Sequence, residues 1–297
     1  MGWVHDLLKK RDTPTSDELP AIESDASRVS ARPPVLHALQ VGRASNVGQV
    51  RDHNEDVLLT LEINQLGDQV IEPLGWFALA DGMGGHQAGE LASALAIRVV
   101  TYELLNEILR PYLFREAHDA SQRSLSEVMV SAVMSANKAV HEQVQGGGTT
   151  LTCALILGNR AYLAHVGDSR AYLFVDNHLR QITRDHSLVD RLVEVGQITP
   201  GEALHHPQRN VLYRAVGQGD QLEVDTYVEM LPPPGQYRLL LCCDGLWGSV
   251  SDDQLAEVLR TAATPQAACD VLITAANAAG GRDNITIVVV EPQSHSG

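Results

Sequence analysis

One apolar run in the first third of the chain ends directly in an acid, and this junction constrains the fold more than any other feature. Residues 76–80 are all apolar, which is typical of a buried strand, and Asp81 and Gly82 follow at once. A carboxylate at the mouth of a buried strand is costly unless a positive group lies beside it. The chain therefore needs an arginine, a lysine or a metal ion here, and the glycines after Asp81 let the backbone fold tightly around it.

The same junction recurs along the chain. Acids border apolar runs at Asp56, Asp81, Asp168, Asp244 and Asp283. Because the end of one antiparallel strand lies beside the start of its neighbour, we expect these side chains to gather at one sheet edge. Clustered carboxylates repel and raise each other's pKa unless cations neutralise them. One Asp-Gly at a strand end usually marks only a turn, but five acids at strand ends, three of them next to a glycine, are difficult to explain as turns.

The residue types around these acids indicate which cation they would bind. No histidine or cysteine flanks them at the spacing of a zinc site, so oxygen donors dominate and Mg²⁺ or Mn²⁺ is favoured. Two such ions about 4 Å apart can ionise a bridging water and hold a phosphoryl oxygen during in-line attack. Arg51, in a polar turn, has the planar guanidinium that binds a phosphate.

Periodicity and turn signals outline the secondary structure. Helices are predicted at 88–109, ended by Pro111, and at 121–144, ended by three glycines. Two further helices are predicted to begin after Ser251 and Thr264. Segment 185–217 mixes helix and loop character and is predicted to be an inserted flap. Strands are predicted at 36–41, 57–63, 76–80, 150–157, 160–166, 171–175, 225–230, 237–243 and 285–290.

Length and composition limit the classes of function. The 297 residues fit one domain, 35–293, after an N-terminal extension, 1–34, whose polar composition predicts mobility. Residues 3–11 could form a short amphipathic helix that contacts a partner or a membrane. The net charge of −15 disfavours nucleic acid as a partner. No apolar run approaches the 18 or so residues of a membrane span, and the four cysteines form no C-x-x-C pair, which favours a cytoplasmic location.

Seven short motifs follow one another between residues 37 and 291. They are Arg51-x-x-Asn54-Glu55-Asp56, Asp81-Gly82-x-Gly84-Gly85, Gly148-Thr149-Thr150, Val166-Gly167-Asp168-Ser169-Arg170, Asp185-His186-Ser187, Asp244-Gly245-Leu246 and Arg282-Asp283-Asn284-Ile285-Thr286. This ordered set resembles the metal-dependent protein phosphatases of the PPM or PP2C type in their bacterial form. The resemblance implies an α+β sandwich of four layers, with two antiparallel sheets flanked by helix pairs. It also implies hydrolysis of phosphoserine and phosphothreonine in proteins, in opposition to a serine/threonine kinase.

The resemblance assigns a role to each candidate ligand of a two-metal core. Asp81 would bridge two Mn²⁺ or Mg²⁺ ions, and the carbonyl of Gly82 would bind one of them. Asp244 and Asp283 would complete the second ion. Asp56 would support the pair.

Three further roles follow from the same resemblance. Glu55 would act on the metal pair through water, together with Asp56. Asp168, with Asp244, would hold a third and weaker metal, and Arg51 would bind the substrate phosphate. The flap is similar to a segment that varies in the family and is associated with substrate choice. We expect a monomer.

One position departs from the family's eukaryotic pattern. Many eukaryotic members carry a histidine after the Asp-Gly pair, assigned as the acid that protonates the leaving group, but Met83 occupies this position and cannot donate a proton. His86, His53 or a metal-bound water could substitute. For the flap histidines, His186, His205 and His206, local hydrogen bonding is the preferred interpretation.

Two rival functions remain open on sequence. A catalytically silent member that only binds phosphoproteins should have lost a metal-bearing acid, and none is lost here. A metal-dependent esterase for small phosphoesters would share the chemistry and differ only in its substrate.

Overall fold

The structure is a computed structural model that describes residues 37–64, 74–84, 87–114, 123–203 and 206–294. The chain divides into two units, Met1–Pro34 and Val35–Gly297. The first unit, including the extension predicted to be mobile, lies outside the described residues.

Strands make up the centre of the second unit. The described strands are β1 (His37–Asn46), β2 (Asp56–Ile63), β3 (Leu74–Met83), β4 (Gly148–Thr149), β5 (Leu151–Leu157), β6 (Arg160–Val166), β7 (Arg170–Val175), β8 (His178–Gln181), β9 (Asp225–Met230), β10 (Tyr237–Cys242) and β11 (Ile285–Ser294). One sheet has the order β1-β11-β10-β7-β8, and the other has the order β2-β3-β5-β6-β9, with β4 paired to β3. Every pairing between these strands is antiparallel.

Helices cover the outer faces of the sheets. The described helices are α1 (Ala88–Leu104), α2 (Arg110–Phe114), α3 (Leu125–Gln143), α4 (Leu188–Glu194), α5 (Pro200–Ala203), α6 (Asp244–Trp247), α7 (Asp252–Thr261) and α8 (Pro265–Ala278). Ser124 and Ser251 begin α3 and α7 with reciprocal capping boxes, and Thr264 caps α8 ahead of Pro265. None of the described helices is both long and apolar enough to cross a bilayer.

Three apolar layers hold these elements together. One lies between the second sheet and helices α1 and α3, one between the two sheets, and one between the first sheet and helices α7 and α8. Trp76 and Phe77, neighbours on β3, face different layers because successive strand residues point to opposite faces. The predicted α+β fold, with two antiparallel sheets flanked by helices, is confirmed.

Local signals predicted most strand ends correctly but misplaced one helix end. The Asp176-Asn177 hairpin forms as predicted, with both residues at positive φ of 51° and 62°. The predicted stop at Pro111 is wrong. Residues Leu105–Leu109 form a π-helical turn, so Pro111 falls in the first turn of α2, where its missing N–H costs little.

Candidate metal centre

Two paired strands bring the first two acids together. Asp56, the first residue of β2, is the register partner of Asp81 on β3. The backbone of Asp81 is fixed from the other side, because its N–H donates to Thr150 Oγ1 at 3.0 Å and its carbonyl accepts from Thr149 Oγ1 at 2.8 Å. The Gly148-Thr149-Thr150 motif therefore holds the backbone under Asp81.

The opposite sheet supplies the next two acids. Asp244 is the first residue of α6, just beyond the end of β10, and Asp283 precedes β11, which pairs with β10. The carboxylate of Asp283 accepts from its neighbour's N–H, Asn284 N, at 2.8 Å. It also lies 2.8 Å from Arg51 Nη2. The side chain of Arg51 is half exposed at the rim of the cluster.

Asp168 lies in the turn between β6 and β7 and is buried. Its carbonyl accepts from Trp247 Nε1 at 2.9 Å. The same indole lies under the guanidinium of Arg170, which forms a bidentate ion pair with the buried carboxylate of Asp185. The turn that carries Asp168 is thus tied to α6, which carries Asp244.

The acids of the cluster influence one another's protonation. Burial raises the pKa of Asp81 well above its usual range, and repulsion from Asp56, Asp244, Asp168 and Asp283 raises it further. Burial is also the main cause that raises the pKa of Asp56 to about 7 and that of Asp244 to about 6, each with help from Asp283. These carboxylates cannot all be ionised at neutral pH without added positive charge.

The donor set fits a divalent cation. Both carboxylate oxygens of buried Asp56 lack a hydrogen-bond partner. Asp56, Asp81 and Cys243 each place one potential ligand atom within 4.8 Å of the others. An orphaned carboxylate this deeply buried needs a cation or a proton. Since carboxylates dominate the cluster, Mg²⁺ or Mn²⁺ matches it better than zinc.

Gly82 and Glu55 form the floor of the site. Gly82 N–H donates to the carbonyl of Glu55 at 3.2 Å, and the side chain of Glu55 is buried. A Cβ at Gly82 would lie only 2.3 Å from the carbonyl oxygen of Gly89 on α1. Only glycine therefore allows α1 to approach this close to the strand end.

Sequence reasoning missed the organising role of Asn284. Its Oδ1 accepts from Glu55 N–H at 2.8 Å, while its Nδ2 donates to the carbonyls of Val47 and His53 at 3.0 Å. One buried amide thus holds the loop of residues 47–55 against β11. The motif after Asp283 contained this residue, but its place in the chain gave no sign of the loop it would bind.

Sequence reasoning also placed Cys243 in the core without reference to the metal cluster. The thiol does lie in an apolar layer, but at its end, beside Asp56 and Asp81. Its Sγ accepts from Thr286 N–H at 3.1 Å. The adjacent Cys242 faces the other side of β10, as alternation along a strand requires.

Of the two histidines predicted as candidate proton donors, His53 lies within the described residues. Met83 is partly buried and accepts from Gln218 Nε2 at 3.5 Å. His53 Nε2 lies 3.4 Å from Glu55 Oε1, and His86 lies outside the described residues. Of the flap histidines, His186 is buried and hydrogen-bonded, His206 accepts locally from Gln208 N–H, and His205 is not among the described residues.

An open cleft of about 640 Å³ borders Met83. Its other walls are Gly84, His141, residues 144–148, Gly217 at the end of the flap and Gln218 just beyond it. An extended peptide could therefore lie beside the metal cluster.

Two facing antiparallel sheets carry acids at a shared edge, with an arginine at the rim, and this arrangement fits a metal-dependent hydrolase of phosphate esters. The family model for Protein phosphatase 2C matches residues 41–194. The chain is 38% identical over 244 residues to "Serine/threonine phosphatase stp" of Listeria innocua, an alignment that spans 82% of this chain and 92% of that protein. The chain belongs to the protein phosphatase 2C family.

Solved structures agree in fold. The serine/threonine phosphatase PstP/Ppp of Mycobacterium tuberculosis is similar with a TM-score of 0.71 and 36% identity, over 87% of this chain and 100% of that one. The catalytic domain of PstP in complex with two manganese ions is similar with a TM-score of 0.69 and 34% identity, over 87% of this chain and 100% of that one.

Proposed function

We propose that this protein hydrolyses phosphoserine and phosphothreonine in other proteins at the five-acid cluster. The observation that carries the proposal is the orphaned, buried carboxylate of Asp56 opposite Asp81, with three further acids beside them. When bound, two Mn²⁺ or Mg²⁺ ions would supply an ionised water and neutralise charge on the phosphoryl oxygens.

Different acids would bind different cations. Asp81 would bridge the two core ions, Gly82 would offer its carbonyl to one of them, and Asp244 and Asp283 would serve the other. Asp56 would complete the core with Glu55 behind it. Asp168, on its separate turn, would hold a third and weaker ion with Asp244.

Arg51 would bind and orient the substrate phosphate. Its half-exposed side chain can leave Asp283 and present two N–H groups to phosphate oxygens, which fixes the phosphorus for in-line attack. The cleft beside Met83 would accept the polypeptide on one side of the phosphorylated residue. No side chain of this protein becomes phosphorylated in this scheme.

The state of the cysteines bears on the compartment in which the protein would act. The four cysteines are buried free thiols, which supports a reducing compartment such as the cytoplasm. Substrates would be phosphoproteins produced by a serine/threonine kinase, and we propose that the protein acts as a monomer.

The test is hydrolysis of a phosphothreonine peptide with Mn²⁺, with EDTA, and by Asp244→Asn. We expect activity that requires the metal and falls at least about a hundredfold in the variant, because one ligand loses its charge. Asp253→Asn, on the exposed first turn of α7, is the matched control and should leave activity unchanged. A wild-type protein that binds Mn²⁺ but releases no phosphate would instead support a silent binding module. Preference for p-nitrophenyl phosphate over phosphopeptides in direct competition would support a small-ester hydrolase.

A further inference from the structure

His186 lies where the flap leaves the core and is in contact with two separate elements, the turn that carries Asp168 and the start of β9. The ring is 1% exposed. Its Nδ1 accepts from the N–H of Gly167 at 3.1 Å, and its Nε2 lies 3.2 Å from Asp225 Oδ2. Gly167 begins the turn that carries Asp168, whereas Asp225 begins β9 beyond the end of the flap.

The hydrogen bonds define the tautomer of the ring. Since Nδ1 accepts from Gly167, the proton of a neutral ring is on Nε2, where it donates to Asp225. Arg214 Nη1, which itself donates to Asp225, lies 3.3 Å from the same nitrogen. Burial lowers the pKa of His186 despite this carboxylate, so the neutral form is favoured. The ring therefore accepts a hydrogen bond from the turn that carries Asp168 and donates one to the start of β9.

On the metal side, the turn between β6 and β7 is held at two successive residues, Gly167 and Asp168. Gly167 has a φ of 108°, and its carbonyl accepts from His186 N–H at 2.7 Å in addition to the ring contact. The next residue, Asp168, is held through its carbonyl by Trp247 Nε1. Loss of the ring acceptor would leave the Gly167 N–H buried without a partner and loosen the turn.

On the flap side, Asp225 connects His186 to the returning chain. Arg214 Nη1 donates to Asp225 Oδ1 at 3.0 Å, and Tyr213 N–H donates to the carbonyl of His186 at 2.9 Å. Glu223 also pairs with Arg214. The end of the flap is thus fixed to the same ring that holds the Asp168 turn.

We propose that His186 is a positioning residue that couples the flap to Asp168, through Gly167 on one side and Asp225 on the other. The role in turnover rests on the proposed function, but the coupling itself does not. Substrate that orders the flap would order the turn that holds the third, weaker cation.

Two near-isosteric substitutions separate the two halves of the link. His186→Asn keeps an acceptor at the position of Nδ1 and loses the contact with Asp225. His186→Gln places its amide at the position of Nε2, which keeps Asp225 and leaves Gly167 without an acceptor. His178→Gln is the matched surface control, because His178 lies exposed on the edge strand β8.

The first readout needs no activity and no metal. The chain has three tryptophans, so an amide correlation spectrum of ¹⁵N-labelled protein contains three indole signals, and Trp247→Phe identifies the one that reports on Asp168. We expect this signal to shift in His186→Gln, which loses the contact with Gly167, and to shift less but measurably in His186→Asn, which reaches the turn only through the flap. Equal shifts, a signal that stays in place in His186→Asn, or a larger shift in His186→Asn than in His186→Gln would overturn the proposal.

The second readout is turnover. His186→Gln should need about tenfold more Mn²⁺ for half-maximal activity with little change in KM, because the lost hydrogen bond disturbs the Asp168 turn. His186→Asn should raise KM for a phosphopeptide and raise the Mn²⁺ requirement by a smaller factor than His186→Gln does, because the flap no longer helps to order the turn. A uniform loss of kcat in both variants would indicate a merely structural residue and overturn the proposal.

The experiments still give an answer if a His186 variant does not fold or if the wild-type protein is inactive. If a His186 variant fails to fold, Asp225→Asn reaches the link from β9 and should both raise KM and shift the Trp247 signal; a signal that does not move would overturn the proposal. If the wild-type protein releases no phosphate, the proposed function fails, and the metal-free spectra still decide whether the coupling exists.

Discussion

Replacement of Asp56 by asparagine should stabilise the metal-free protein at alkaline pH, although it removes a proposed ligand. Burial raises the pKa of Asp56 from its ordinary value of 3.8 to about 7. The folded state therefore holds its proton more tightly than the unfolded state, so the free energy of unfolding falls as the pH rises between those two values. At about 1.4 kcal/mol per pKa unit, the loss is complete above pH 7 and reaches at most about 4 kcal/mol.

The amide that Asp56→Asn introduces would carry no charge at any of these pH values. In EDTA at pH 8 we expect this variant to unfold at higher urea concentration than the wild type, and we expect the difference to shrink as the pH is lowered toward 4. In saturating Mn²⁺ the order should reverse, because the wild-type carboxylate gains the bound cation and the amide does not. Urea unfolding with and without EDTA measures both effects. A variant that is less stable than the wild type in EDTA at pH 8 would refute the reasoning.

Three further predictions concern single positions. Asp168→Ala should lower turnover about tenfold at limiting Mn²⁺ while calorimetry still detects two bound ions; unchanged turnover would argue against a third ion in catalysis. Gly82→Ala should destabilise the fold by about 3 kcal/mol and abolish activity, because its Cβ would lie 2.3 Å from the carbonyl of Gly89; a fully stable, active variant in thermal and kinetic assays would contradict this. Arg51→Lys should raise KM for a phosphopeptide about tenfold with a smaller change in kcat, since lysine cannot form the bidentate contact; equal KM values would exclude that role.

Local signals in the sequence were sufficient to predict most of the described strands, whereas their arrangement in two sheets was implied by the resemblance to the PP2C family. Alternation, hairpin turns such as Asp176-Asn177, and caps such as Ser251 depend on residues close together in the chain. The end of α1 was not predictable in the same way. Whether the helix ends before Pro111 depends on the π-helical turn that precedes it, and hydrophobic periodicity does not reveal such a turn.

The acids of the candidate site were predictable from the sequence, but the contacts that hold them in place were not. Acids at strand ends could be grouped from sequence, because antiparallel pairing brings such ends together, as it does for Asp56 and Asp81. The contacts that hold them are long-range and leave no local pattern. Asn284 binds a loop that lies 229 positions earlier at Glu55, and Trp247 binds the carbonyl of Asp168 from another element. Only the folded structure brings these partners together.

The most direct test of the central claim is the location of Mn²⁺ in crystals of the protein, determined by anomalous scattering at the manganese edge. The account predicts two strong peaks, bridged by Asp81 and flanked by Asp56 on one side and by Asp244 and Asp283 on the other. A weaker third peak should lie near Asp168. Manganese bound elsewhere, or an empty cluster in a protein that hydrolyses phosphothreonine, would contradict the account.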